Sequence, residues 1–279
     1  MEKSIKKVTG SFEAQQTSDG AGVKLLRAIG TDSVNYVDPF LLLDEFASDN
    51  PGDYIAGFPA HPHRGFETVT YMIEGKMKHE DSTGETGILS SGSVQWMSAG
   101  KGVVHSEMPM QEEGAMRGFQ LWVNLPATHK MMEPRYQNID ADKIPQITLE
   151  GGGYIKAIAG KVEDIQGPVN GIITDPTYLD VYLAPYQEYT HTVEETHSVF
   201  AYPFEGAVDF GSGPVQRGHV VTFAEGDTIR TLAGEGGGRY LFLTAKPISE
   251  PIFRGGPFVM NTREQIIQAF SDYETGKFT

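Results

Sequence analysis

Short runs of β-branched and aromatic residues, each cut off by Gly, Pro, Asn or Asp, recur along the chain and constrain its fold more than any other feature. Thr68-Val69-Thr70-Tyr71-Met72-Ile73 stops at Glu74-Gly75. Val94-Gln95-Trp96-Met97, Gly118-Phe119-Gln120-Leu121-Trp122-Val123, Leu179-Asp180-Val181-Tyr182-Leu183 and Tyr240-Leu241-Phe242-Leu243-Thr244 are built the same way. Strands this short and this closely spaced predict a sandwich or barrel. Helix is expected in two places only. Residues 127–132 read as a single turn. Near the end, Thr262 and Gln265 form a capping-box pattern that opens the apolar stretch Ile266-Ile267-Gln268-Ala269-Phe270. The fold class is therefore all-β with a C-terminal helix.

At 279 residues the chain is long enough for about two domains, each able to bury its own core. An internal repeat supports that division. Glu74-Gly75-Lys76-Met77-Lys78 resembles Glu205-Gly206-Ala207-Val208-Asp209, and Gly92-Ser93-Val94-Gln95-Trp96-Met97 resembles Gly218-His219-Val220-Val221-Thr222-Phe223. The offsets are 131 and 126 residues, which suits one duplicated unit with altered loops. The Asp/Lys/Pro stretch at 140–145 reads as the linker, giving domains 1–140 and 141–279.

Composition removes several function classes. The balance of 22 basic against 37 acidic residues gives a net charge of −15, which repels phosphate backbones and argues against direct nucleic-acid binding. The chain has no cysteine, so disulfides, thiolate catalysis and thiolate-held metals are excluded. Any metal must be held by imidazole and carboxylate. The charged start, Met1-Glu2-Lys3-Ser4-Ile5-Lys6-Lys7, is followed by no apolar segment of the signal-peptide kind. No run of 18 apolar residues predicts a membrane span. The expected compartment is the cytoplasm, with the nucleus equally permitted in a eukaryotic host.

The chemistry is concentrated in His61-Pro62-His63 and His105-Ser106-Glu107. Residues i and i+2 of a strand share a face, so each pair can aim both side chains into one barrel. Three imidazoles and a carboxylate around one point suit a borderline divalent transition metal, and open coordination positions would remain for water, dioxygen or substrate. Glu67 has the same parity as His63 and competes with Glu107 as the carboxylate, or serves to orient an imidazole N–H.

These residues also carry a family resemblance. The stretch from Gly57-Phe58-Pro59-Ala60-His61-Pro62-His63-Arg64-Gly65-Phe66-Glu67 to Gly75 resembles the first cupin motif, and Gly92 through Gly100 to His105 and Glu107 resembles the second. The form Gln95-Trp96-Met97-Ser98-Ala99-Gly100-Lys101-Gly102-Val103-Val104-His105-Ser106-Glu107 resembles the pirins, a family of bicupins. So do Gln120-Leu121-Trp122-Val123-Asn124-Leu125-Pro126 and Gly255-Gly256-Pro257-Phe258-Val259-Met260-Asn261-Thr262. The resemblance implies two face-to-face cupin (jelly-roll) β-barrels. It places one mononuclear metal, Fe(II), in the N-terminal barrel on His61, His63, His105 and Glu107. It ranks Glu107 above Glu67, although Ser98 stands where cupins usually have Pro.

Moving His61 and His63 by 131 residues lands on Thr192 and Glu194, and moving His105 and Glu107 by 126 lands on Thr231 and Ala233. The second barrel is therefore read as free of metal. His191, His197 and His219, with His79 and His129, are read as surface or packing residues. Arg64 follows the ligand strand, but its parity turns it away from the site. The resemblance leaves three functions open. The first is a dioxygenase that cleaves quercetin-type flavonols with O2, with Glu107 as base. The alternative is an iron-dependent, redox-sensing regulator that binds protein partners. The third is a metal-binding cupin with an isomerase or other small-molecule reaction, for which quercetin is only an accepted surrogate.

Overall fold

The short runs do become strands. The computed structural model describes residues 4–111 and 113–278, so Met1-Glu2-Lys3 of the charged start lie outside the described residues. The chain packs into two compact units, each assembled from three segments. One contains residues 16–27, 40–141 and 248–279, and the other contains residues up to Gln15 with 28–39 and 142–247.

In the first unit a seven-stranded sheet runs in the order Arg135–Ile139, Val94–Ser98, Phe66–Glu74, Met116–Asn124, Phe40–Ser48, Val23–Ile29 and Gln15–Asp19. A second sheet has the order Phe58–His63, Val103–Pro109, Lys76–Asp81 and Thr86–Ser90. Alternation is clear in Val103–Pro109, where Val103, His105 and Glu107 are buried and Val104, Ser106 and Met108 are less so. Val23, Leu25, Phe46, Met72, Met77, Leu89 and Met116 form one of its cores. Each large apolar side chain buried this way stabilises the fold by roughly 1.5–3 kcal/mol.

The other unit repeats this order. His219–Phe223 lies beside Ser198–Asp209, then Thr228–Ala245, then Thr177–Leu183, matching Val94–Ser98, Phe66–Glu74, Met116–Asn124 and Phe40–Ser48. The duplicated segments thus occupy the same sheet positions. The outer place held by Arg135–Ile139 in the first sheet is taken in the second by Val8–Glu13, paired with His219–Phe223. Ile155, Ala157, Val181, Leu183, Val199, Ala201, Val221, Tyr240 and Phe242 make up its core.

The turn expected at 127–132 is present as hydrogen-bonded turns, with both His129 and Lys130 N–H donating to the Pro126 carbonyl. The terminal helix spans Arg263–Glu274 and Thr262 caps it, with both halves of the capping box formed. No helix among the described residues is long and apolar enough to cross a membrane.

The C-terminal segment is tied to the strand that carries His61 and His63. Phe258 packs with Ala269 and Phe278. The Val259 N–H donates to the Arg64 carbonyl, and the Arg64 side chain pairs with Asp272 at 2.6 Å. Between them Gly65 adopts φ +86°, and a Cβ there would lie 2.0 Å from the Val259 carbonyl oxygen. Only glycine meets both conditions. Lys130, 1% exposed, completes the join by donating to the Gly65 and Val259 carbonyls and to Asn124 Oδ1 at 2.8, 2.9 and 2.7 Å.

Candidate metal centre

The strands Phe58–His63 and Val103–Pro109 run antiparallel, with His61 opposite His105 and His63 opposite Val103. This register brings three imidazoles to one point. Ring nitrogens of His61, His63 and His105 all lie within 4.8 Å of one another. The ring centroids are 4.5 Å apart for His61 and His105, 4.6 Å for His61 and His63, and 4.9 Å for His63 and His105.

The polar atoms of the cluster fit a cation. His61 Nδ1 lies 2.8 Å from the Pro59 carbonyl, so Nδ1 carries the hydrogen and Nε2 keeps its lone pair. His63 Nδ1 and His105 Nε2 are buried without a hydrogen-bond partner. Burial, reinforced by the neighbouring imidazoles, holds His63 and His105 well below the usual histidine range. Both rings are therefore neutral, the state that binds a metal. Buried imidazoles with uncommitted nitrogens are an expensive arrangement unless something fills the point between them.

Glu107 is buried too, on the same face as His105. The ladder shifts register between these two residues and sets Glu107 opposite Phe58. The Thr70 hydroxyl donates to Glu107 Oε1 at 2.7 Å and also lies 2.8 Å from Gln120 Oε1. Burial raises the Glu107 carboxyl, against the pull of His61 and of the Thr70 hydrogen bond. Glu107 thus lies near His61, although its carboxylate is outside the three-imidazole grouping.

Glu67 takes no part in that grouping. It accepts from Ser98 Oγ, its register partner on the adjacent strand, and burial raises its carboxyl to about 7. The Ser98–Glu67 pair gives a physical reason for serine where proline is usual. Arg64 points away from the cluster, as its parity requires. It donates to the Lys101 and Phe278 carbonyls and pairs with Asp272.

Two contributions escaped the sequence reading. His79, taken there as surface or packing, is 1% exposed and lies opposite Glu107. Its Nδ1 lies 3.4 Å from His105 Nδ1, so a hydrogen on His105 Nδ1 finds an acceptor and His105 Nε2 is kept free. The strand parity of Met77, His79 and Asp81 was the available signal. The second contribution is a cavity wall from the C-terminal segment. His61, His63 and Glu107 open onto a cavity of about 570 Å³ that is also lined by Leu25, Leu42, Phe58, Gln120, Trp122, Arg254 and Pro257. Nothing local in the sequence places Arg254 or Pro257 beside His61.

In the other unit the strand Glu188–Thr192 pairs with Thr228–Ala245, setting Tyr189 opposite Thr231 and His191 opposite Ile229. At the 126-residue offset of the His105 strand, Tyr189 and His191 correspond to His61 and His63. The offset of this strand is then 128, not 131, because the connection after it, 193–197 against 64–65, is three residues longer. His191 is buried, stacked on Phe242 at 3.8 Å, and its Nε2 lies 2.7 Å from the Tyr240 hydroxyl. Burial lowers it to about 3.

The comparisons agree with this architecture. The pirin family model matches residues 22–123, and the model of the pirin C-terminal cupin domain matches residues 178–279. A pirin-like protein of Caulobacter vibrioides is 47% identical over 275 residues, covering 98% of this chain and 99% of its own. A Pseudomonas aeruginosa protein provisionally named quercetin 2,3-dioxygenase is 47% identical over 266 residues, 93% of each chain. The crystal structure of quercetin 2,3-dioxygenase from Acinetobacter baumannii superposes with a TM-score of 0.92 at 35% identity, over 98% of each chain. With both domain models matched and identity sustained over nearly its whole length, the chain belongs to the pirin family of two-domain cupins.

Proposed function

We propose that the chain is a dioxygenase that opens quercetin-type flavonols with O2, using one mononuclear Fe(II) held by His61, His63, His105 and Glu107. The observation that carries this reading is the position of the imidazole cluster. It stands in the wall of a cavity large enough for a drug-sized molecule, whereas a structural metal would be closed off by its ligands. The relative from Pseudomonas and the neighbour from Acinetobacter are named for the same reaction.

When bound, the metal supplies Lewis acidity and a template for dioxygen and the flavonol 3-oxygen. The chain's own residues do the rest. Pro59 fixes the tautomer of His61, and His79 does the same for His105. Thr70 steadies one oxygen of Glu107; the other would hold the metal and keep a second lone pair to take the 3-hydroxyl proton as general base. Leu25, Leu42, Phe58 and Trp122 give the flavonol rings an apolar bed and exclude water from them.

The test is to load the protein anaerobically with Fe(II), add quercetin and air, and follow oxygen uptake and carbon monoxide. One carbon monoxide per flavonol is expected, abolished in His61→Ala and strongly reduced in Glu107→Gln. One bound iron without oxygen uptake would overturn the reading and leave regulation through protein partners as the reading to test.

A further inference from the structure

Two arginines bear on the cavity beside the imidazole cluster: Arg254 lines it, and Arg27 pairs with the aspartates of its wall. Arg27 is saturated. Its Nε and Nη2 donate to the two carboxylate oxygens of Asp44 at 2.8 and 2.7 Å, and Nη2 also reaches Asp19 at 3.0 Å. Both aspartates of the cavity wall are therefore committed to one guanidinium. Arg254 enters the same cavity from the strand Phe253–Gly255. Its guanidinium carbon lies 4.6 Å from the centre of the Trp122 ring. Among the described residues it has no hydrogen-bond acceptor and no ion pair. Arg254 is solvent-exposed, and its guanidinium lines a ligand-sized space with no protein group committed to it.

We propose that Arg254 is the anion-recognition residue of this cavity, and that the ligand is an aromatic molecule bearing an acidic oxygen beyond the one presented to the imidazole cluster. A carboxylate or an acidic phenol fits this description. The assignment rests on reading the cluster as the metal and substrate site. Three arguments support it. Guanidinium matches a carboxylate or phenolate through directed, charge-assisted hydrogen bonds. Its stacking on Trp122 holds the fork in place before the ligand arrives, so little rotamer entropy is lost on binding. The charge count also favours an anion. Arg27 and Arg254 balance Asp19 and Asp44, while a divalent ion exceeds Glu107 by one positive charge.

The test compares 3,4-dihydroxybenzoate with its neutral isostere 3,4-dihydroxybenzamide on the zinc-loaded full chain. Binding is read by titration calorimetry and by tryptophan fluorescence, to which Trp122 in the cavity wall and the buried Trp96 both contribute. The wild type is expected to prefer the benzoate by about tenfold or more, less so at high salt. Arg254→Met should bring the ratio close to one, and Arg254→Lys should keep part of it, with unfolding midpoints unchanged in both. Equal binding by the wild type, a preference that survives in Arg254→Met, or binding of neither compound would overturn the assignment. A preference that follows Arg254 in a protein inert toward quercetin would leave the assignment standing and remove the dioxygenase reading. Carbon monoxide release with no dependence of selectivity on Arg254 would do the reverse.

Discussion

Replacing Lys130 with methionine tests whether the C-terminal segment is pinned to the ligand strand as the hydrogen bonds indicate. The ammonium reaches two backbone carbonyls and one side-chain oxygen, all within 2.9 Å. Methionine would fill the space and leave three buried acceptors without a donor. At about 1 kcal/mol each, the lower end for an orphaned buried group, the loss is about 3 kcal/mol at pH 7. Urea denaturation measures it directly, and hydrogen exchange over residues 253–262 should show the hairpin loosening first. A loss below about 1 kcal/mol would refute the pin.

The same substitution carries a pH signature. Burial lowers Lys130 from 10.5 to about 7 in the folded chain, with Glu250 pulling the other way. Between those values the unfolded chain binds more protons, so stability rises with pH through that window, by at most about 1.4 kcal/mol per unit. Lys130→Met lacks this titration, and the remaining groups cancel in the comparison. The gap between wild type and variant should therefore widen from pH 7 to pH 9. A constant gap would mean that the three oxygens hold the ammonium at its ordinary pKa and that burial is fully offset.

Two further outcomes follow from single contacts. His79→Leu removes the acceptor opposite His105 Nδ1 and should weaken metal binding by about 10–100-fold in a chelator competition; unchanged affinity would reduce His79 to packing. Thr262→Ala deletes the cap of the terminal helix and should cost about 1 kcal/mol in thermal or urea unfolding, with the metal affinity retained.

What could be read from the sequence divides along the range of the interaction. The convergence of His61, His63 and His105 and the burial of Glu107 on the same face were legible because two-residue spacing fixes which side chains share a strand face, and Arg64 was excluded by the same parity. The strand runs, the duplicated sheet order and the Thr262 cap are local or repeated signals of the same kind. The wall of the cavity is different. Arg254 and Pro257 reach His61 and His63 only because Gly65 lets Val259 approach and Lys130 ties the two together. No periodicity encodes such a contact. Val8–Glu13 pairs with a strand more than two hundred residues away, and nothing in its own pattern names that partner. The ladder irregularity between His105 and Glu107 shows why spacing alone also falls short inside the site. Unbroken pairing carries both side chains forward at one face and one depth, whereas the shift sets Glu107 opposite Phe58 and hands its carboxylate to Thr70. The candidate residues can thus be named from spacing, but how far the carboxylate stands from the imidazoles depends on a bulge that only the folded ladder reveals.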